Sequence, residues 1–485
     1  MNRVSASDTA ICSEVPKLNG APSGTSGSAP SGEPTAPLRS PRRWFSFLGA
    51  GSMVAVGYMD PGNWATDLAG GAQFGYSLLS VVLLASLAAM LLQWIAARVG
   101  LVTGKDLAQL CRDNFGRKTT FCLWIASEIA IIACDVAEVV GSAVALQLLL
   151  GVSLAVGVIL SAIGTVALLM LRGLGKRAIE IAITTLILFV ALSLIAQIAL
   201  AKPVWHELFA GFVPTTALVR HAGMLWLAAG IMGATIMPHN LYLHSALVKH
   251  HIRNADRAES AHHVKGAKGA DRVDRTEGTT QVLDSHAHNQ DQYGEIATAL
   301  RGVTADTVGA LSFAFLINAA LLVVAAAVFH AAGQTQLDDL ADAHRLLSPL
   351  VGNSWAAPLF ASALLACGLN STVTGTLAGQ IVMEGFTTLR MSPWRRVLLT
   401  RSLALGPALI AVAFYGEGGS NRLLVASQVV LSMQLPLAII PLMLFAQRRS
   451  LMGIWQVRGI TQWACWAVTA GIVGLNGALI FQSVV

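Results

Sequence analysis

A proline interrupts the first long apolar run of the chain, within the stretch Gly57-Tyr58-Met59-Asp60-Pro61-Gly62-Asn63. Another interrupts the sixth apolar run, within the stretch Ala234-Thr235-Ile236-Met237-Pro238-His239-Asn240. Proline inside a helix has no N–H to donate and clashes with the carbonyl of residue i−4, so each stretch predicts a broken helix. The two carbonyls that lose their helical partners belong to Gly57 and Ala234.

The chain as a whole has the composition of a membrane protein. Of the 485 residues, 54% are hydrophobic and 12% are charged, whereas ordinary soluble domains carry about 25% charged residues. This balance argues against soluble enzymes, nucleic-acid binders and disordered scaffolds, and it indicates an all-α protein embedded in a lipid bilayer. The six cysteines are widely spaced and form no CxxC pair, so neither a disulfide framework nor a zinc site is expected.

Apolar runs long enough to cross about 30 Å of hydrocarbon recur from Trp44 onward. We count eleven, over residues 45–70, 75–99, 119–148, 152–171, 178–201, 222–247, 305–331, 355–385, 396–415, 422–446 and 460–483. They divide into one repeat at about 45–201, a second at about 222–446 and an extra helix at about 460–483. Residues 1–43 are expected to form a disordered cytoplasmic tail, and about 249–304 a flexible, His-rich cytoplasmic loop.

The distribution of positive charge predicts the orientation of the chain. With the amino terminus in the cytoplasm, all Lys and Arg residues fall on the cytoplasmic side except Lys202, Arg220, Arg345 and Arg422. Cytoplasmic loops of membrane proteins are enriched in these residues. We therefore expect a multi-pass protein with its amino terminus in the cytoplasm and, after an odd number of spans, its carboxyl terminus outside.

The two breaks occupy matching places, the first and sixth spans, in two five-helix halves. Interrupted helices in matching positions are the best sequence indicator of the central binding site of a transporter. Irregular backbone at membrane depth is tolerated only inside protein or beside a water-filled cavity, so the breaks are expected to face each other. A pair of prolines that only shapes helix packing is the alternative.

The groups at the breaks favour a transition-metal ion. Asp60 supplies a charged oxygen and Asn63 an amide oxygen, and the freed carbonyls of Gly57 and Ala234 add backbone oxygens. Met237 adds a thioether, a soft ligand that suits transition metals better than Mg²⁺ or Ca²⁺. This mixture of hard and soft ligands predicts a site for Mn²⁺, Fe²⁺ or a related ion.

Gln434 lies in the tenth span, close to another proline, Pro436. Its amide either completes the coordination of the ion, directly or through water, or makes a hydrogen bond between helices. The sequence leaves both interpretations open.

Carboxylates inside the third span predict a proton pathway. Glu128, Asp135 and Glu138 lie near one face of this helix, and ionisable groups within a span usually mark ion or proton routes. Carboxylates satisfied by hydrogen bonds between helices are the alternative. His239 is placed to relay a proton close to the metal, and Arg401 is a candidate cationic partner.

Two other functions fit a chain with broken helices. A passive cation channel needs a continuous pore lined by acidic rings, and the paired breaks argue against it. An amino-acid symporter of the same architecture would bind a substrate carboxylate and Na⁺ at the breaks. Asp60 argues against that reading, because it would repel the carboxylate.

The sequence resembles the NRAMP (natural resistance-associated macrophage protein) family, and within it the bacterial proton-coupled manganese transporters. The resemblance rests on Asp60-Pro61-Gly62-Asn63, on Met237-Pro238-His239-Asn240-Leu241-Tyr242-Leu243-His244-Ser245, on Ser371-Thr372-Val373-Thr374-Gly375-Thr376-Leu377-Ala378-Gly379-Gln380 and on Ser427-Gln428-Val429-Val430-Leu431-Ser432-Met433-Gln434-Leu435-Pro436. It implies an inverted-repeat (5+5) transporter fold with eleven transmembrane helices, of which helices 1 and 6 are broken.

The resemblance also implies a function. It indicates an importer of Mn²⁺ in the bacterial inner membrane, with Fe²⁺, Co²⁺ and Cd²⁺ as further ions, that works by symport with H⁺ through alternating access. Such a protein is not an enzyme and holds no permanently bound cofactor. By resemblance, Asp60, Asn63 and Met237 are metal-binding side chains and Gly57 and Ala234 carbonyl ligands, while the proton path contains Glu128, Asp135, Glu138, His239 and Arg401. Two features depart from the family pattern. The 249–304 loop is longer and richer in His than is usual, and Thr400 stands where many relatives carry a second basic residue beside Arg401.

Overall fold

Helices form all the regular structure that the computed structural model describes, and no strand occurs among those residues. The described residues are 49–170, 176–249, 280–337, 339–388, 395, 399, 402–403, 405–410 and 420–484. The predicted tail at 1–43, much of the predicted 249–304 loop and most of the predicted 396–415 span lie outside them, as does Arg401.

The helices follow one another in the order of the predicted spans. The first group contains α1 (Ala50–Gly57), α2 (Pro61–Phe74), α3 (Leu79–Thr103), α4 (Leu107–Asn114), α5 (Arg117–Leu150), α6 (Leu154–Met170), α7 (Lys176–Ala201), α8 (Trp205–Ala210) and α9 (Ala217–Arg220). The second contains α10 (Ala222–Ile236), α11 (Pro238–Val248), α12 (Thr280–Ala325), α13 (Leu340–Val351), α14 (Ala356–Thr387), α15 (Ser420–Gln447), α16 (Arg449–Met452) and α17 (Ile460–Val484). A π-helical turn, Ala326–His330, extends α12.

Eight helical stretches among the described residues are long and apolar enough to cross a membrane. They are Pro61–Thr103, Arg117–Leu150, Ile181–Ala201, Ala222–Val248, Tyr293–His330, Ala356–Thr387, Ser420–Ala446 and Ile460–Phe481, and Leu154–Ala167 is a shorter apolar helix. The first stretch joins parts of two predicted spans, because only a short 3₁₀ turn, Gly75–Leu78, separates α2 from α3. Large apolar side chains such as Ile163 and Ile195 are exposed on α6 and α7, as lipid-facing helices require.

A carboxylate of α12 holds the start of α1. Oδ2 of Asp306 accepts hydrogen bonds from the backbone N–H groups of Gly49, at 3.2 Å, and Gly51, at 2.7 Å. The first N–H groups of a helix have no partner within the helix, and an acidic side chain satisfies them well. This contact ties the segment before the first break to α12.

The helices around the breaks pack closely where a glycine faces its neighbour. A Cβ added to Gly141 of α5 would overlap Cβ of Pro61, the first residue of α2. A Cβ added to Gly233 of α10 would overlap the backbone carbonyl of Gln428 in α15. Small residues allow membrane helices to approach in this way. These contacts fix the positions of α5 and α15 beside the two breaks.

Replacing Gly141 with Ala is expected to destabilise the protein, because the new methyl group has to displace Pro61 and with it the start of α2. Overpacking of this kind costs about 1–3 kcal/mol. The measurement is the thermal unfolding midpoint of the detergent-purified protein. Gly471→Ala in α17 is the control, since nothing lies within 4 Å of an added Cβ there. Equal midpoints for the two variants would show that α2 tolerates the displacement.

Candidate metal site at the two helix breaks

The first break separates α1 from α2 and places the carboxylate of Asp60 in the protein interior. α1 ends at Gly57, and α2 begins at Pro61 with Asp60 as its N-cap. One oxygen of Asp60, Oδ1, accepts a hydrogen bond from the backbone N–H of Asn63 at 2.7 Å. The other, Oδ2, is buried and has no hydrogen-bond partner in the described part of the chain. A buried carboxylate oxygen without a donor is costly, so this oxygen is suited to a cation.

Asn63 presents its amide oxygen at the same break. Its Nδ2 donates a hydrogen bond to the backbone carbonyl of Tyr58 at 2.5 Å. This bond fixes the orientation of the amide and occupies its nitrogen, not its oxygen. The Asn63 side chain is buried, so the oxygen lies in the interior of the protein.

The second break consists of a single strained residue. α10 ends at Ile236 and α11 begins at Pro238, with Met237 between them at φ 45° and ψ 98°. A residue other than glycine rarely adopts a positive φ, and such strain concentrates at functional sites. The Met237 side chain is fully buried, and its Sδ accepts a hydrogen bond from Nδ2 of Asn240 at 3.4 Å. The strained backbone therefore holds a thioether in the interior.

The two breaks touch each other. The hydroxyl of Tyr58, in the first break, donates a hydrogen bond to the backbone carbonyl of Ile236, at the end of α10, at 3.3 Å. A Cβ added to Gly57 would lie 2.6 Å from Nδ2 of Asn240 in α11. Pro61 follows Gly57 by four residues, as Pro238 follows Ala234, so neither carbonyl receives the usual helical hydrogen bond.

Two glutamines of α15 lie in different places. Nε2 of Gln434 donates a hydrogen bond to Oγ of Ser127 in α5 at 3.3 Å, while its Oε1 is buried without a hydrogen-bond partner in the described part of the chain. Both interpretations of Gln434 stay predictions. Gln428 instead packs on the first break, because a Cβ added to Gly62 would overlap its side-chain amide. The Oε1 of Gln428 is buried without a hydrogen-bond partner among the described residues. Gln428 is thus a candidate ligand that was not predicted from the sequence, although it lies in the stretch from Ser427 to Pro436 that resembles the family.

The carboxylates of α5 lie along the helix at different depths. Asp135 and Glu138 are buried and both face Gly375 of α14, since a Cβ added there would lie 2.8 Å from Oε1 of Glu138 and 3.4 Å from Oδ1 of Asp135. Glu128 is half-buried and accepts a hydrogen bond from Nε1 of Trp124 at 2.9 Å. His239, at the start of α11, is buried. The structure therefore brings Asp135 and Glu138 together and leaves Glu128 nearer the start of α5.

A further buried carboxylate, that of Asp67, was not predicted from the sequence. It lies seven residues after Asp60 in α2, and its Oδ2 is buried without a hydrogen-bond partner within the described ranges. The spacing of seven residues, which places both carboxylates near one helix face, was the available signal.

Neutral groups dominate the ligand set at the breaks. Within the described residues, no group of three or more His, Cys, Asp and Glu side chains is arranged to hold a metal ion. An ion at Asp60 would therefore depend on amide, carbonyl and thioether ligands as well as on the single carboxylate. Weakly charged ligand sets suit an ion that has to leave again.

The chain also matches a known protein family. A family model described as natural resistance-associated macrophage protein-like (Nramp) matches residues 51–482. The chain belongs to the Nramp family. Several similar proteins are named divalent metal cation transporter MntH, and two of them illustrate the likeness. The protein from Xanthomonas campestris pv. campestris is 48% identical over 447 residues, which cover 90% of this chain and 91% of the relative. That from Brucella suis biovar 1 is 47% identical over 441 residues, which cover 91% and 89%.

A solved structure shares the fold. The manganese transporter of Eremococcus coleocola, in complex with an aromatic bis-isothiourea substituted compound, matches with a TM-score of 0.73 at 34% sequence identity. The match covers 90% of this chain and 86% of that one. The Nramp membership confirms the predicted family, the all-helical transporter fold and the prediction that the chain is not an enzyme. The roles of individual residues stay predictions.

Proposed function

We propose that this Nramp protein is a secondary active importer of divalent transition-metal ions, chiefly Mn²⁺, with Fe²⁺, Co²⁺ and Cd²⁺ as further substrates. It couples their entry to H⁺ by alternating access. The observation that supports the proposal best is Asp60, a buried carboxylate whose Oδ2 has no hydrogen-bond partner in the described segments, at a break that contacts the second break. The similar proteins named divalent metal cation transporter and manganese transporter support the choice of ion.

Each ligand has a distinct part in binding the ion. Asp60 supplies the charge, and Asn63 and the carbonyls of Gly57 and Ala234 replace water molecules of the hydration shell. Met237 supplies the soft ligand that disfavours Mg²⁺ and Ca²⁺. A single carboxylate neutralises half of the charge of a divalent ion, so the bound state is not so stable that release becomes slow.

The proton route starts close to the ion. His239 is two residues after Met237, and Asp135 with Glu138 forms the buried acidic pair of α5. Buried ionisable groups in a membrane span mark proton relays in transporters. We assign the proton to these groups, with Glu128 and Arg401 as further members of the route. The protein lies in the bacterial inner membrane with its amino terminus in the cytoplasm and its carboxyl terminus outside.

The test is uptake into proteoliposomes with an internal pH indicator. Mn²⁺ uptake is expected to accelerate when the outside is acidic, and addition of Mn²⁺ is expected to acidify the lumen. Mn²⁺ flux with no proton movement would point to a passive channel. Uptake of amino acids with Na⁺, and none of Mn²⁺, would establish the symporter alternative.

Glu138→Gln is expected to separate metal transport from proton transport. The amide keeps the size of the side chain but cannot carry a proton on and off, so the ratio of H⁺ to Mn²⁺ entering the vesicles falls toward zero while Mn²⁺ uptake persists at a lower rate. Glu207→Gln, which changes an exposed carboxylate of α8, is the control. An unchanged ratio in Glu138→Gln would remove this residue from the route.

A further inference from the structure

Asp67 is a buried carboxylate of α2 that the proposed ligand set does not use. Its side chain is 1% exposed, and its Oδ2 has no hydrogen-bond partner within the described segments. None of the ion pairs between described residues contains it. A buried carboxylate without a partner is costly, and ionisable groups inside a membrane span mark ion pathways. Asp67 therefore calls for an occupant that the protein itself does not supply.

Asp67 is too far from Asp60 to bind the same ion. Seven residues separate the two along α2, of which Asp60 is the N-cap. At a rise of 1.5 Å per residue this is about 10 Å, whereas the ligands of one ion lie within about 5 Å of each other. An occupant of Asp67 is thus a separate one, and the site at the breaks keeps its single carboxylate.

α2 and α12 run side by side in the same direction. A Cβ added to Gly71 of α2 would overlap the backbone carbonyl of Leu322 in α12. A Cβ added to Gly75, just after α2, would lie 3.1 Å from Cδ2 of His330, just after α12. Residue numbers increase together along the two helices, so residues one turn before the first contact lie at the same level.

Asn318 of α12 occupies that level opposite Asp67. Asp67 precedes Gly71 by four residues, and Asn318 precedes Leu322 by four. Residues four apart lie on one face of a helix, so both residues belong to the faces along which α2 and α12 pack. Asn318 is 1% exposed, and its Oδ1 is buried without a hydrogen-bond partner in the described part of the chain. Unsatisfied buried oxygens on two packed helices indicate a missing polar or charged partner.

α2 leads from the first break to a cavity of about 410 Å³ at the other end of the helix. Phe74, the last residue of α2, lines this cavity together with Glu207 of α8 and Lys202. Its walls therefore carry charges of both signs and do not by themselves select a cation. α2 contains no other carboxylate between this cavity and Asp60 than that of Asp67.

We propose that Asp67, with the amide oxygen of Asn318, is a second, transient binding site for the divalent cation on its way from this cavity to Asp60. The inference rests on the proposed function and on its orientation, which places the cavity on the outer side. A carboxylate and an amide supply hard oxygen ligands, and water completes the shell of a partly hydrated Mn²⁺. The pair contains no sulfur, so this site selects by charge, whereas Met237 selects by softness.

The first test locates the ion directly. Asp60→Asn weakens the inner site, so that Mn²⁺ stops at the outer one. Crystals of Asp60→Asn soaked in Mn²⁺ are expected to show anomalous density at the manganese edge beside Asp67 and Asn318. The double variant Asp60→Asn/Asp67→Asn is expected to lose this density. Asp60→Asn/Asp342→Asn, in which the second change removes a surface carboxylate paired with Arg345, is the matched control and is expected to keep it.

The second test measures entry of the ion into proteoliposomes. Asp67→Asn is expected to raise the KM for Mn²⁺ about tenfold, which corresponds to about 1.4 kcal/mol, because the ion reaches Asp60 without an intermediate site. The maximal rate is expected to stay within about twofold of wild type, since conformational steps limit it in many such proteins. A variant with damaged packing would lose maximal rate instead. Asp342→Asn is expected to change neither quantity.

The outcomes separate this inference from the function on which it rests. If wild-type protein transports Mn²⁺ but Asp60→Asn crystals show no ion at Asp67, the second site is wrong and the transporter stays intact. A raised KM without that density would mean that Asp67 acts only through its charge on Asp60, and it would overturn the site as well. So would a wild-type KM in Asp67→Asn. If wild-type protein takes up no divalent ion, the proposed function itself is wrong.

Discussion

Asp60→Asn is expected to abolish Mn²⁺ uptake, with an initial rate at least about a hundredfold below that of wild-type protein. The amide keeps the shape of the carboxylate and removes its charge, while Asn63 and the backbone carbonyls stay neutral. Two unit charges 4 Å apart attract by about 4 kcal/mol at the effective dielectric constant of a protein. Each 1.4 kcal/mol is about tenfold in affinity, so the loss of this one charge suffices.

The substitution is expected to leave the helix start intact, because asparagine caps helices as well as aspartate. Asp60 accepts the hydrogen bond from the N–H of Asn63 through one oxygen, and an amide oxygen accepts it too. The measurement is uptake of Mn²⁺ into proteoliposomes, together with Mn²⁺ binding to the purified protein by calorimetry. Asp342→Asn, which removes a surface carboxylate paired with Arg345 at 2.8 Å, is expected to match wild type. Binding and uptake of wild-type strength in Asp60→Asn would exclude it as the anchor of the ion.

The ends of the broken helices could be predicted because they follow from a local rule. Pro61 and Pro238 block the hydrogen bonds of the carbonyls four residues earlier, whatever the rest of the chain does. The structure ends α1 at Gly57, four residues before Pro61, and α10 at Ile236, two residues before Pro238. That the chain is a membrane protein could also be predicted, because this depends on composition and on the length of apolar runs.

The neighbours of the site could not be predicted because they depend on how helices rotate and approach. Gln428 and Gln434 belong to one motif on one helix, and nothing local distinguishes them. The first faces Gly62 and the second Ser127 only because α15 packs between α2 and α5 with this register.

The residues that pack against the acidic side chains of α5 could not be predicted either. The spacing of Asp135 and Glu138 predicts a shared helix face, and the structure places that face on Gly375 of α14. The sequence contained this glycine in a recognised motif but no indication that the absence of its side chain makes room for two carboxylates. Arg401, the predicted cationic partner, lies outside the described residues.

Met237 is the residue from which we expect the largest change in selectivity. A thioether contributes little to Mg²⁺ or Ca²⁺, which prefer oxygen ligands, and it occupies a position where a water or carboxylate oxygen would otherwise serve them. The strained backbone at φ 45° holds the side chain in the interior. Leucine keeps a similar volume, and such exchanges cost less than about 1.5 kcal/mol in a core, so Met237→Leu removes the sulfur and little else.

Met237→Leu is expected to lower the preference for Mn²⁺ over Ca²⁺ by about tenfold or more, mainly through weaker Mn²⁺ binding. Met237→Ala, which also opens space for water, is expected to admit Ca²⁺ and Mg²⁺ as substrates. The measurement is competitive uptake of the three ions into vesicles. Met433→Leu, at an exposed methionine of α15, is the control and is expected to behave as wild type. If Met237→Leu rejected Ca²⁺ as well as the wild-type protein does, selectivity would have to come from the oxygen ligands alone.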